Sequence, residues 1–487
     1  MSTKEKQTTK EFFINGVWQT AEENSTIDVI NPATGECVAH VSKGGAKEAK
    51  LAIDAASEAF GAWKKTPARE RANLLWNLYE KVLDYQEELA EIMTLEAGKP
   101  LKQSRMEVLN GAEYIRWNAE EARRIYGTTV ESMDPSKRLQ LKKEAIGPVV
   151  AITPWNFPFS MITRKLSPAL AAGCTVALKP AEETPLTAIK FFEIVEEVGF
   201  PKGVLNLVIG DAPAIGDTWL SDKRVRKVTF TGSTKVGKML YEKAAQQVKR
   251  ASMELGGHAP ILVFDDCDLE ATIQQIVRSK LNNSGQTCIS PNRIYVHENI
   301  VDEFTDKCKQ LIQSMNVGDG TKDDTDIGPV INEQGVQKAE SHVKDALEKG
   351  ATLVLGGEKL QVDGCENGFF YAPTILKGVD ETMEIAYAET FGPIAPIFSF
   401  KTEEEVINKA NDTDYGLAAY IFTNDLSRSH RVSEALEFGM VGINDTVLSQ
   451  VEGAFGGVKE SGFGREGGPD TLEGFLETKF ISTIIKN

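Results

Sequence analysis

The chain has no apolar run long enough to cross a bilayer, no excess of basic residues, no regular cysteine spacing and no internal repeat or low-complexity segment. Each absence removes a class of function. A spanning helix needs about 20 consecutive apolar residues, so no membrane partner is expected. Lys and Arg number 54 against 71 Asp and Glu, a net charge of −17. A protein that neutralises phosphates needs clustered cations, so no nucleic-acid partner is expected either. The cysteines Cys37, Cys174, Cys267, Cys288, Cys308 and Cys365 follow no disulfide or metal-ligand spacing, which reads as reduced thiols and no metal centre. The opening MSTKEKQTTKEFF is polar and lacks a secretory apolar stretch. A cytoplasmic location follows as the expectation.

What is present is an ordinary globular composition, 41% apolar and 26% charged over 487 residues, a length that calls for roughly two or three domains. From Gly45 to Gly127 apolar residues recur at three and four, predicting successive amphipathic helices. KRLQLKKEA alternates and predicts an exposed ribbon, while the apolar run that follows predicts a buried parallel strand. TVALKP, VLNLVIG, KVTFTGS and RASMEL then alternate with helical stretches, the signature of an open α/β domain. A second series, APILVFDD, RIYVHENI, ATLVLGG, APIFSF and YIFTND, predicts another. Two strands outside these domains, near 138–145 and 478–485, are natural subunit-bridging edges.

Several short stretches carry residues suited to chemistry. In LNNSGQTCISPNR, Cys288 follows Ser284, Gly285, Gln286 and Thr287, a poor core but a loop that exposes a thiol and aims backbone N–H groups at it, favouring thiolate. A buried, inert thiol is the alternative. Glu254 in MELGGHAP lies between apolar neighbours and two glycines, where desolvation raises a carboxyl toward the range of a general base. Asn156, held between Pro154 and Pro158, is either a turn residue or an amide donor to a developing oxyanion. Lys179 and Glu182 end a strand where open α/β sheets bind ligands. Gly232, Ser233 and Gly237 follow another strand and open a helix, a weak phosphate cradle.

PWNFP, LKPAEETP, FTGSTKVG, MELGGHAP, GQTC, ETFGPI and FGGVKESGFGRE occur in one order across nearly the whole chain, and in this the sequence resembles the aldehyde dehydrogenase superfamily. The resemblance implies an α/β aldehyde dehydrogenase fold: a Rossmann-like cofactor domain from 1–127 and 146–255, an α/β catalytic domain from 256–460, and a small β oligomerisation arm from 128–145 and 461–487. It implies Cys288 as nucleophile, Glu254 as base for the deacylating water, Asn156 as oxyanion donor, and Lys165 with Glu466 as a proton relay. Cofactor contacts carried over are Thr153, Pro154, Trp155, Lys179, Glu182, Gly210, Phe230, Gly232, Ser233, Gly237, Leu255, Glu389 and Phe391. The cofactor implied is NAD, because Glu182 bonds a ribose 2′-hydroxyl and repels a 2′-phosphate, with NADP admitted. A homodimer or homotetramer is implied as well.

EARRIYG, ITRKLSPALAAGCT and FGREGG are most similar to NAD(P)-dependent succinate-semialdehyde dehydrogenases. In that group an arginine at the place of Arg164, assisted by Ser449, binds the distal carboxylate. The implied substrate pocket is Phe157, Arg164, Asn282, Ile289, Ser449 and Phe455. Asn282 stands where a second arginine is usual, Asn118 replaces an aromatic and Ala454 a proline. Lactaldehyde, sulfolactaldehyde and glutarate semialdehyde are therefore alternative substrates, and transfer of the acyl group to coenzyme A is an alternative reaction that Glu254 argues against. Ser290, two residues after the nucleophile, excludes a disulfide within that loop.

Overall fold

The computed structural model describes residues 11–21 and 25–486 and organises the chain around three sheets. Most of the polar N-terminal stretch lies outside the described residues. No helix among them is long and apolar enough to cross a membrane. The expected amphipathic helices are Ala46–Trp63, Ala68–Asp84, Gln86–Ala97 and Leu101–Glu121. Gly98, at φ 74°, ends the third, and Pro100 precedes the fourth, because a left-handed residue and a missing N–H both stop a helix.

The first sheet runs Gly462–Phe463, Arg250–Glu254, Lys227–Thr231, Val149–Ile152, Val176–Lys179 and Leu205–Leu207. All its pairings are parallel except the first. The chain enters at Val149–Ile152, builds outward to one side, then returns to the other. The ends of Val149–Ile152 and Lys227–Thr231 thus flank the point where strand order reverses, the crevice in which open sheets hold ligands. Thr153–Asn156 and Gly232–Ser233 emerge there.

The second sheet orders Thr352–Leu355, Thr374–Lys377, Ile394–Phe400, Pro291–His297, Ala259–Val263, Ala418–Phe422 and Met440–Ile443. Each expected strand of the second series is present, together with Thr374–Lys377 and Met440–Ile443. The third sheet corrects the view of two free bridging edges. Lys137–Ala145 is its middle strand, paired on one side with Leu476–Ile484 from end to end and on the other with Thr128–Val130. Only the outer strands keep free edges.

One boundary also needs correction, because the segment after 461 does not all belong to the arm. Gly462 and Phe463 pair with Glu254 and Met253 in the first sheet. Gly462 sits at φ 107°, and a Cβ there would lie 1.9 Å from the Met253 carbonyl oxygen, so only glycine allows the approach.

Candidate active site

Helix Leu269–Leu281 runs into the loop that carries Cys288. Asn283, Ser284 and Gly285 are successively left-handed, at φ 49°, 56° and 76°, a conformation costing about 1–3 kcal/mol for each non-glycine residue and kept only where the surroundings enforce it. The surroundings do so. Asn283 donates to the Asn156 carbonyl at 2.9 Å, Ser284 to the Gly328 carbonyl at 2.8 Å, and Gln286 accepts from the Ile331 N–H at 2.8 Å. A Cβ on Gly285 would meet the Gly392 carbonyl oxygen at 2.1 Å. The expectation of an exposed loop is thereby corrected, since Asn283, Ser284, Gln286 and Thr287 are all buried. Polar composition did not mean solvent because each of the three side chains named has a protein partner.

Cys288 is half-buried and lines a cavity of about 670 Å³. Burial, then the Glu389 carboxylate, pushes its thiol up to about 12, with Arg164 opposing. Desolvation thus works against the thiolate that the donors of this loop favour. Asn156, buried beside the loop, donates through Nδ2 to the Gln286 carbonyl at 3.0 Å, which leaves the second N–H of that amide free.

Sequence reasoning missed what holds Asn156. Lys99, 1% exposed, pairs with buried Glu107 at 2.5 Å and donates to the Asn156 carbonyl at 2.7 Å. Glu107 also accepts from the N–H groups of Phe159 and Ser160 at the start of helix Ser160–Ala172. The signal was available, because Glu107 falls on the buried stripe of its helix with Ser104, Val108 and Gly111. A second unnoticed support is Lys280, which is buried and donates to Ser290 and Asn292 across the base of the cysteine loop.

Helix Ser160–Ala172 is buried along its whole length yet carries Arg164 and Lys165 in succession. Adjacent helical positions point about 100° apart, so the two cations serve different sides. Lys165 pairs with Glu466. Arg164, 3% exposed, faces the cavity: its Cζ lies 4.7 Å from the Tyr114 ring centroid and 4.5 Å from that of Phe455, and Nη2 donates to Ser449. Its Nε and Nη1 have no partner. The six residues Phe157, Arg164, Asn282, Ile289, Ser449 and Phe455 all line this one cavity.

Glu254 ends strand Arg250–Glu254, 3% exposed, with neither carboxyl oxygen partnered. Burial, then the neighbouring Glu466 carboxylate, raises it well above the ordinary carboxyl range. The expected partial desolvation is in fact nearly complete.

At the crevice, Ser233 caps helix Thr234–Ala245, accepting from the Val236 N–H at 3.4 Å. A Cβ on Gly232 would be 2.5 Å from the Phe230 ring, and one on Gly237 would be 2.3 Å from Leu255, so these glycines admit core side chains as well as leaving backbone open. Phe230 and Leu255 belong to the core beneath the crevice. Gly210 lies where a Cβ would strike Gly44 backbone at 2.0 Å, a packing reason for glycine that needs no ligand. Thr153 is buried with its hydroxyl unpartnered, Pro154 is half-buried, and Trp155 packs edge-on against Phe391 at 5.5 Å. Glu389 accepts from the Gly257 N–H at 3.1 Å, and burial raises it to about 7. Buried Lys179 pairs with Glu182 at 2.9 Å.

Comparison with known proteins shows near full-length similarity. The sequence profile of the aldehyde dehydrogenase family matches residues 18–481. The succinate-semialdehyde dehydrogenase [NADP(+)] of Escherichia coli (strain K12) is 47% identical over 468 residues, 96% of each chain. The 3-sulfolactaldehyde dehydrogenase of Pseudomonas putida is 46% identical over 469 residues, again 96% of each. The crystal structure of succinate-semialdehyde dehydrogenase from Burkholderia pseudomallei superposes with a TM-score of 0.96 at 45% identity, covering 100% of both chains.

Proposed function

The chain belongs to the aldehyde dehydrogenase family, and from that premise we propose that it oxidises a short anionic aldehyde of the succinate-semialdehyde type to the carboxylate, with NAD(P) as acceptor and Cys288 as nucleophile. One observation carries the choice of substrate: Arg164 is a buried guanidinium with two unpartnered nitrogens and, among the described residues, no counter-ion in the cavity that holds Cys288. A buried cation without a counter-ion is costly, and an anionic substrate group that accepts from Nη1 at the end of the guanidinium lowers that cost on binding.

The crevice fits a dinucleotide. The start of helix Thr234–Ala245 offers N–H groups to a phosphate, Trp155 and Phe391 offer apolar faces, and Glu389 offers a carboxylate to a ribose. The bound dinucleotide supplies a hydride acceptor. Lys179 and Glu182 would face the adenine ribose. Their ion pair offsets the repulsion that Glu182 alone exerts on a 2′-phosphate, so both nucleotides are accommodated.

The remaining chemistry belongs to the chain. Cys288 sulfur adds to the aldehyde carbon as its proton leaves, and the free N–H of Asn156 with the Cys288 backbone N–H holds the oxygen anion. Once oxidised, the carbon is a thioester on Cys288. Glu254 takes a proton from the water that cleaves it, and Lys165 with Glu466 passes that proton on. Glu254 works against coenzyme A as the acceptor. In this reading residues 1–127 and 146–255 hold the cofactor, 256–460 carry the nucleophile, and the three-stranded arm joins subunits into a dimer or tetramer.

Asn282 favours further short aldehydes. A neutral amide in place of a second cation lowers the charge of the clamp and makes the pocket more polar, so the anionic sulfolactaldehyde and glutarate semialdehyde and the neutral, hydroxylated lactaldehyde are competitors. A steady-state panel of these aldehydes against neutral aldehydes of equal length, with both nucleotides, tests the proposal. The expected result is higher kcat/KM for the anionic members, and equal values for charged and neutral aldehydes would overturn it.

A further inference from the structure

A second set of reactive side chains lies on the hairpin formed by Thr26–Ile30 and Cys37–Ser42. Asp28 stands directly opposite His40 in the register, so their side chains share one face. Cys37 precedes His40 by three residues, and regular alternation would send it to the other face. The register shifts at this place, Val29 opposing Ala39 while Ile30 opposes Cys37, which leaves Val38 as an extra residue in the second strand. A bulge of this kind re-aims the side chains that follow it, and here it returns Cys37 to the face of Asp28 and His40.

The donors converge. His40 Nδ1 lies 2.7 Å from Asp28 Oδ1 and 3.9 Å from Cys37 Sγ, and all three donor atoms are within 4.8 Å of one another. No other trio of His, Cys, Asp or Glu donors meets in this way among the described residues. None of the three lines the Cys288 cavity, so nothing in the proposed reaction employs them.

We propose that this face binds a divalent ion of the zinc class through Cys37 Sγ, His40 Nδ1 and Asp28, with water in the fourth position. A thiolate, an imidazole and a carboxylate form the donor mixture that suits zinc and its borderline-soft neighbours rather than magnesium or calcium. Zinc bonds of about 2.0–2.3 Å place neighbouring donors roughly 3.3–3.8 Å apart in a tetrahedron. The sulfur and nitrogen, 3.9 Å apart, close by a few tenths of an ångström. The oxygen and nitrogen, now sharing a hydrogen bond, move apart by about half an ångström as the ion takes the place of the proton between them. On binding, the Cys37 S–H bond breaks and its proton leaves to solvent, while the imidazole proton that bridged to Asp28 leaves Nδ1 and is replaced by one taken from water on Nε2, so the ring stays neutral and one proton is released in all.

The site is placed to matter mechanically. The turn of the same hairpin accepts from the Phe369 N–H at the Pro32 carbonyl, 2.9 Å away, and Ala33 packs with Cys365 and Phe370. An ion bridging both strands stiffens the strap that ties the N-terminal segment to the 365–370 region.

Cobalt(II) titration of the full-length chain tests this, with Cys288→Ala introduced to remove the catalytic thiol as a rival ligand. One equivalent of cobalt should bind with a thiolate-to-metal charge-transfer band that zinc abolishes by displacement. Cys37→Ser in the same background should eliminate the band. His40→Gln should weaken binding by more than about tenfold, since loss of even an outer partner costs that much. Zinc should raise the unfolding temperature of the Cys288→Ala protein and leave the Cys37→Ser/Cys288→Ala protein unchanged. Absence of the band, or a band that survives Cys37→Ser, would overturn the assignment. All three side chains are at least partly exposed, so the variants should fold, and circular dichroism checks that they do.

Discussion

Replacing Arg164 by Met separates anion recognition from every other duty of the active site. In the free protein the guanidinium is buried between the Tyr114 and Phe455 rings, donates to Ser449, and leaves Nε and Nη1 without partners. A substrate carboxylate that accepts from Nη1 and from the remaining N–H of Nη2, the end-on fork, makes two charge-assisted hydrogen bonds, each worth about 1.5–3 kcal/mol. Part of that sum is lost in desolvating the carboxylate, so a net of about 3 kcal/mol is reasonable, or roughly a hundredfold in kcat/KM. Methionine keeps the volume between the rings and carries no charge. A neutral aldehyde of the same length should therefore lose little. The free protein should gain up to about 1 kcal/mol, because an uncompensated buried cation has been removed. The assay is kcat/KM for succinate semialdehyde and for butanal at saturating nucleotide, alongside urea unfolding. A parallel fall for both aldehydes, or a marked loss of stability, would show that Arg164 supports structure rather than substrate.

Glu254→Gln should retain a single-turnover burst of reduced nucleotide and lose steady-state turnover by about 10²–10⁴-fold, the range for removal of a general base; rapid mixing reads both phases. Lys99→Met should destabilise the fold by about 3–5 kcal/mol by leaving Glu107 buried and unpaired, and Lys99→Met/Glu107→Gln should recover most of it, as measured by urea titration. Glu389 gives a pH dependence with a definite sign. Its folded value is about 7 against an ordinary 4.5, so between these values the native state holds a proton that the unfolded chain has released, and stability falls as pH rises. Glu389→Gln should flatten the curve of urea midpoint against pH across that window.

The parts of the fold legible in sequence were those with a strong period or an obligatory residue type. The helices from Ala46 to Glu121 and the parallel strands followed from apolar spacing. The cavity residues from Phe157 to Phe455 followed from motifs, because substrate chemistry constrains side-chain type. Burial of polar residues was not legible. Ser284 and Gln286 read as loop because composition does not reveal that Gly328 and Ile331 bring partners to them. Lys99 and Glu107 went unread, since a charge on the buried stripe of its helix shows that it needs a partner but not that the lysine in the preceding turn supplies it. Cysteine spacing gave no metal pattern for Cys37, because its companions arrive by cross-strand pairing and a bulge, neither of which is a spacing in one segment. Arm pairing was hidden for the same reason, as alternation identifies a strand but not its neighbour.

The long return of the C-terminal segment has a consequence for biosynthesis. Strand Lys137–Ala145 waits for Leu476–Ile484, strand Arg250–Glu254 waits for Gly462–Phe463, and Lys165 waits for Glu466. During translation the first 254 residues thus emerge with an open sheet edge and a lysine lacking its counter-charge, and neither is resolved until residues 462–484 have been made. The nascent chain should depend on chaperones until that segment emerges, and a frameshift just before it should be as damaging as an early one.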